Sequence, residues 1–241
     1  MNFVITMAGY GARFVDAGYK LPKMLLVAQG KTLLEWSLSS LPLDIADTVV
    51  FVGLQSHEDE YQLSHEIKKL YPELNLRFLF LQEPTRGQAE TAYLALNLCD
   101  STKPLVIYNI DTYFFSPTLK QMLLDGSHDG ILSYFTSSEN RFSFAAIDET
   151  TGFVTEVKEK EVISTNALTG LYSFASIADF ASAYKYHTDN EITTKGEYYI
   201  APMYNYLIDK GKKYVLDEAI THHILGTPAE YEYFKTIEKP V

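Results

Sequence analysis

The stretch "NFVITMAGYGARFVDAGYKLPKMLL", residues 2–26, opens on a short apolar run and then places three glycines, one arginine and two lysines between positions 7 and 26. Glycines leave a turn bare of side chains, so its N–H groups can come close to an anion such as a phosphate. Arg13, Lys20 and Lys23 would add local positive charge. The spacing Gly9-Tyr10-Gly11-Ala12-Arg13 is not the dinucleotide pattern G-x-G-x-x-G, because Phe14 stands where a third glycine or alanine belongs. Nor is it the phosphate loop that ends in Gly-Lys-Ser/Thr. On these residues alone, a tight strand-to-helix turn with solvated cations stands beside the phosphate cradle.

Outward from this stretch, strand-like and helix-like segments alternate. Residues 3–7, 48–52, 76–81 and 105–108 are short, apolar and rich in branched or aromatic side chains, the pattern of buried parallel strands. Residues 33–41, 58–70 and 88–98 carry apolar residues at helical spacing. From about residue 130 the segments 130–135, 142–147, 153–158 and 167–174 read as further strands, some antiparallel, before helices return. The expected fold is α/β: a doubly wound, mixed and mostly parallel sheet flanked by helices, with a small mixed α/β lobe. No linker or repeat divides it, so residues 1–241 are expected to form one domain. Residues 1–130 would carry the nucleotide-type loop and 131–241 the second lobe.

At 241 residues and 46% hydrophobic, the chain can bury a sizeable core. A net charge of −11 excludes the broad basic surface that nucleic acid or an anionic membrane would need. An anionic ligand must therefore meet a local cation cluster. No stretch approaches the ~18 apolar residues of a membrane span, and no secretory leader is evident. The single Cys99 cannot form an internal disulfide, and the expected location is the cytoplasm.

Longer patterns add to the glycine pair. The Ala8-Gly9 turn, Gly11, Arg13, Pro22-Lys23 and Gly30-Lys31 occur in one order with "QEPTRGQA" (82–89), "YNIDTYF" (108–114), "GFVTEVKEKE" (152–161), "TGLYSF" (169–174) and "LGTPAEY" (225–231). Together they resemble the sugar-phosphate nucleotidyltransferases, enzymes of Rossmann-like fold. The resemblance implies transfer of a nucleoside monophosphate from a triphosphate to a sugar phosphate, with Mg²⁺ as cofactor and pyrophosphate released. The product would be a nucleoside diphosphate sugar for surface polysaccharide or glycoconjugate synthesis. It implies Arg13 and Lys23 as catalytic cations, and Ala8, Gly9, Gly11, Gln82 and Gly87 as nucleotide-binding residues. Asp111 would be the metal ligand, and Glu159, Lys160 and Gly170 would hold the acceptor.

These residue types suit the chemistry. Phosphoryl transfer proceeds mainly by positioning and charge neutralisation. An arginine grips two phosphate oxygens at once, and a lysine acts as a point charge. Asp111 follows an apolar strand and is a hard oxygen donor suited to Mg²⁺, although a strand-closing turn uses the same residue. Lys158 could take the place of Lys160 if the strand register slips, and an exposed strand of solvated charges fits the same stretch.

Two departures from the family pattern stand out. Pro202 of "GEYYIAP" stands where a second metal-binding Asp is expected, so either Asp111 and the triphosphate would hold Mg²⁺ with water completing the shell, or another acid such as Glu197 would substitute. Ser143 stands where a sugar-contacting glycine is expected. Two alternatives therefore stay open: a cytidylyltransferase for a phosphorylated alcohol, amide or polyol, and a non-catalytic nucleotide-binding module. His222-His223 lacks a surrounding ligand set and reads as a surface or half-buried pair. The triphosphate base and the oligomeric state are not fixed by these residues, and a homo-oligomer is compatible with them.

Overall fold

The computed structural model describes residues 1–238. Strand β1 (Asn2–Thr6) is buried along its whole length because its side chains alternate between two cores. Val4 packs with Val50, Val52 and Ile107 on one face, while Phe3 and Ile5 pack with Val49, Phe51 and Tyr108 on the other. A strand covered on both faces lies at the centre of a sheet.

After β1 the chain turns through Met7–Gly11 into the short helix α1 (Ala12–Asp16), then through a single 3₁₀ turn at Lys23–Leu25 into a hairpin, β2 (Val27–Ala28) and β3 (Lys31–Thr32). Helix α2 (Leu33–Leu38) starts on a complete capping box: the Thr32 hydroxyl accepts the Glu35 N–H, and the Glu35 carboxylate accepts the Thr32 N–H. β4 (Thr48–Leu54) follows. The helix expected over residues 58–70 is two helices, α3 (Gln55–Tyr61) and α4 (Leu63–Leu70), split at Gln62, whose φ is 50°. The break holds because the Glu58 carboxylate accepts the Ser64 N–H at 2.8 Å and caps the second helix. β5 (Leu76–Leu81), α5 (Gln88–Leu94) and β6 (Leu105–Asn109) complete this half. The helical pattern over residues 88–98 ends as a separate 3₁₀ turn at Leu96–Leu98.

β7 (Thr112–Phe115), α6 (Leu119–Asp125), β8 (Gly130–Thr136), β9 (Ser143–Ile147), β10 (Val154–Glu159) and β11 (Asn166–Phe174) come next. The chain then forms α7 (Ile177–Asp189), α8 (Met203–Ile208), β12 (Tyr214–Glu218), β13 (Thr221–Ile224) and α9 (Pro228–Thr236). The main sheet has nine strands, ordered β10-β9-β11-β6-β1-β4-β5, with β8 on β11 and β12 on β8. β1 pairs parallel with both β4 and β6, and β4 pairs parallel with β5. The strands beyond β6 are mainly antiparallel, which realises the mixed second lobe.

The chain leaves β1 toward β4 and β5, then returns to β6 on the other side. Ligands of open α/β sheets bind at such a reversal, beyond the carboxyl ends of the strands. A third core of Phe14, Leu26, Leu33, Trp36, Tyr113, Leu225, Tyr231 and Phe234 pins α9 against α1 and the hairpin. That packing brings Gly226 to the cavity beside the glycine turn and Glu230 to the cavity across the antiparallel strands. Among the described residues, no helix is long and apolar enough to cross a membrane.

Candidate active site

Three adjoining cavities open at the reversal point, and Asp111 lines all of them. It sits two residues beyond the end of β6, between the two halves of the sheet. Its carboxylate is half exposed, and Lys23 Nζ donates to Oδ1. The Lys23 side chain is only 12% exposed, held where the turn after Pro22 aims it at Asp111.

The first cavity, about 460 Å³, is lined by Gly9, Gly11, Arg13, Lys23, His57 and Asp111, with Glu197 at its edge. Gly11 has φ 63°, so the turn uses a conformation that glycine adopts without cost. A side chain at Gly9 would meet nothing within 4 Å, so the backbone there faces open space. Arg13 is exposed and reaches the Gly226 carbonyl oxygen at 3.4 Å. Burial holds His57 below the ordinary histidine range, so it brings no charge at neutral pH.

The second cavity, also about 460 Å³, is lined by Ala8, Gly9, Thr85, Gly87, Gln88, Asn109 and Asp111. Gly87 has φ 139°, and a Cβ there would lie 2.5 Å from the Tyr198 carbonyl oxygen. The loop is stitched to that segment by Ala89 N–H to Tyr198 O at 3.0 Å and Tyr198 N–H to Arg86 O at 2.9 Å. Gly87 is thus required by close backbone packing as well as by its position on the cavity wall. Gln82 is exposed and does not line any of the three cavities; Gln88 of the same stretch does, and its amide donates to Thr6 Oγ1 at 3.3 Å. The family spacing within "QEPTRGQA" marks Gln82 and not Gln88.

The third cavity, about 270 Å³, lies across β9, β10 and β11 and contains Ser143, Glu159, Lys160 and Gly170. The Glu159 side chain is 6% exposed, and the Ser143 hydroxyl donates to it. Burial pushes the Glu159 carboxyl above the ordinary range, against the Ser143 hydrogen bond and the Lys160 charge 3.9 Å away. Lys160 has φ 59°, which ends β10, and its ammonium donates to the Tyr199 hydroxyl. Lys158 pairs with Glu156 at 3.2 Å and does not line this cavity. Gly170, φ 93°, leaves room for the Asn109 side chain, which would lie 2.5 Å from a Cβ there.

Pro202 begins α8 and lines none of the three cavities, whereas Glu197 lines the two that flank the glycine turn. Among the described residues, no group of three or more His, Cys, Asp or Glu could hold a metal. The acids that face the cleft beside Asp111 are Glu197, Glu159 and Glu230. His222 is exposed and His223 half-buried: the His222 ring stacks on Phe135 with centroids 4.0 Å apart, and desolvation lowers both imidazoles. Arg141 and Glu230 also line the third cavity; Glu230 lies within the "LGTPAEY" motif, but sequence reasoning assigned neither residue a role.

A glycine turn with cations at the carboxyl end of β1, a carboxylate at the end of β6 and a second charged pocket across the antiparallel strands define a nucleotidyltransferase cleft. The chain belongs to the MobA-like NTP transferase domain family, which it matches over residues 3–186. It is similar to a nucleoside-diphosphate-sugar pyrophosphorylase from Vibrio cholerae RC9, with 32% identity, a TM-score of 0.84 and coverage of 98% of this chain and 100% of the other. The inositol-1-phosphate CTP transferase of T. maritima shares the fold at 15% identity, TM-score 0.75, with 100% and 97% of the two chains covered. A UDP-glucose pyrophosphorylase complexed with UDP-glucose does so at 15% identity, TM-score 0.78, with 97% and 96% covered. Among curated proteins no match was found. The protein is a nucleotidyltransferase of the sugar and NTP transferase kind.

Proposed function

We propose that this enzyme transfers a nucleoside monophosphate from a nucleoside triphosphate to the phosphate of a sugar phosphate, forming a nucleoside diphosphate sugar for surface polysaccharide or glycoconjugate synthesis. The observation that carries the reading is the position of Asp111 on the shared border of the three cavities. A triphosphate in the first two would present its α-phosphate to an acceptor in the third.

The base would lie between Ala8, Gly9 and Gly87, and the phosphates would run past the bare glycine backbone toward Arg13. An oxygen of the acceptor phosphate attacks the α-phosphorus, the bond from that phosphorus to the bridging oxygen breaks, and pyrophosphate leaves with the electron pair. A phosphate monoester is already largely doubly ionised at neutral pH, since its second pKa is about 6. No catalytic base is needed. Arg13 would grip the departing β- and γ-phosphates, Lys23 would neutralise charge at the α-phosphate, and Lys160 would hold the acceptor phosphate.

The donor set suits Mg²⁺, a hard ion usually bound through one or two carboxylates plus substrate phosphates. Asp111 would hold it with Glu197 nearby, and when bound it supplies charge neutralisation along the triphosphate. Lys23 donates to Oδ1 of Asp111, so an ion held by Asp111 would compete with this lysine for that oxygen, and Lys23 would then be available to the phosphates.

The test is pyrophosphate release across a matrix of CTP, UTP, dTTP and GTP with hexose 1-phosphates, polyol phosphates and amino-alcohol phosphates. Release with a sugar phosphate supports the reading. Release only with a non-sugar phosphate would move the enzyme to the cytidylyltransferase alternative, and none with any pair would contradict it.

A further inference from the structure

Helices α2 and α9 begin with the same signature, Thr32-x-x-Glu35 and Thr227-x-x-Glu230. In α2 the glutamate returns to its own helix and completes the capping box. In α9 the threonine does its half, accepting the Glu230 N–H at 3.3 Å, but the glutamate turns away. Arg141 Nη1, from the turn before β9, donates to Glu230 Oε1. The second carboxylate oxygen, Oε2, is buried and has no hydrogen-bond partner among the described residues. It would lie 3.6 Å from a Cβ on Gly226, on the wall of the third cavity. A glutamate that gives up its local cap and leaves a buried oxygen unsatisfied calls for an explanation.

The charges around it narrow the ligand. The carboxylates lining this cavity are Asp111, Glu159 and Glu230. Asp111 is paired with Lys23, Glu159 lies 3.9 Å from Lys160, and Glu230 is paired with Arg141. Each carboxylate already has a cation, so the cavity offers no surplus negative charge to an amine or quaternary ammonium. Among the described residues lining this cavity, Glu230 Oε2 is the buried oxygen left without a hydrogen bond, and its complement is a neutral donor.

We propose that Glu230 is the specificity-determining residue of the acceptor pocket, its free oxygen accepting a hydrogen bond from a hydroxyl of a neutral, polyhydroxylated acceptor phosphate. The inference rests on the nucleotidyltransferase reading above and narrows its acceptor. Arg141 is then a positioning residue: it fixes the Glu230 carboxylate and neutralises it.

Pyrophosphate release by the full chain tests this with hexose 1-phosphates and polyol phosphates against phosphocholine, phosphoethanolamine and methyl phosphate. The wild type should use a hydroxylated neutral acceptor in preference to the last three. Glu230→Ala should raise the KM for that acceptor about 10–100-fold, the value of one hydrogen bond to a charged group, with the triphosphate KM nearly unchanged. Glu230→Gln should lose less, because Arg141 can keep the carbonyl while the amide faces the cavity. One monodeoxy analogue of the acceptor should be as poor for the wild type as the full acceptor is for Glu230→Ala, and the variant should lose nothing further on it. Arg141→Gln should lower the KM for phosphoethanolamine by uncovering the Glu230 charge.

An unchanged acceptor KM in Glu230→Ala, or a wild-type preference for the ammonium-bearing acceptors, overturns the inference and leaves the nucleotidyltransferase reading standing. No pyrophosphate release by the wild type with any pair overturns both.

Discussion

On the proposed reading, the two ends of the cleft would recognise phosphate-bearing ligands by opposite means. At the nucleotide end the wall is backbone: Gly9 faces open space, Gly11 and Gly87 have positive φ, and Arg13 is exposed. At the acceptor end the wall is charged side chains that engage one another, with Glu159 buried against Ser143 and Glu230 held by Arg141. A bare backbone grips any triphosphate whose own charge supplies the attraction. A pocket whose charges are already neutralised selects by hydrogen bonds instead, because a ligand that leaves one unmade is rejected. The proposed nucleotide end would then serve catalysis and the proposed acceptor end choice.

The sharpest break in that contrast comes at Lys23. Lys23→Ala should lower kcat about 10²–10³-fold while moving the triphosphate KM much less, since this ammonium meets charge that grows during the reaction. Stopped-flow pyrophosphate release decides it, and an unchanged kcat would remove Lys23 from the chemistry. Next in size is Arg13→Lys, expected to cost about tenfold in kcat/KM because a point charge cannot make the two-pronged phosphate contact. Full activity would return Arg13 to a solvated turn.

The smallest effect belongs to the acceptor end. Burial raises the Glu159 pKa in the folded state, so the folded protein holds this proton more tightly than the unfolded chain does. Stability from this group is then present below the unfolded pKa and is lost as pH rises through the folded one. Glu159→Gln keeps the Ser143 hydrogen bond and removes that loss. It should melt about 2–4 °C above the wild type at neutral pH, the shift that ~1 kcal/mol gives a chain of this size, and the gap should close below the ordinary carboxylate range. A variant that melts lower at neutral pH would contradict the assignment. Its acceptor KM should rise all the same, which separates binding from stability.

The same contrast governed what could be read from residues alone. β1, β4 and β6 were legible within one or two residues because they are apolar runs covered on both faces, and β5 because its apolar residues stand out although it is a half-buried edge strand carrying Arg77. The positions of the glycine turn after β1 and of Asp111 after β6 were legible because each depends on a few consecutive residues. Gln82 was singled out because it precedes Gly87 by five residues as in the family pattern, whereas Gln88, which that pattern does not mark, is the glutamine that lines the cavity. The break at Gln62 was missed because it depends on a Glu58 side chain capping the next helix. Arg141 and Glu230 are separated by 89 positions and meet only because the third core holds α9 against the glycine turn. Their pairing has no local signature; the Thr-Pro-Ala-Glu motif points instead to an ordinary cap.

The central claim is that both ends meet at Asp111, and the most direct test is a Mg²⁺ titration of pyrophosphate release for the wild type and Asp111→Asn with EDTA controls. The amide keeps the size of the side chain and removes its charge. Asp111→Asn should require more Mg²⁺ and turn over more slowly even with triphosphate saturating, while the wild type should be silent in EDTA. Full wild-type activity in EDTA, or superimposable curves for the two proteins, would contradict the account and leave Asp111 as a residue that merely closes a strand.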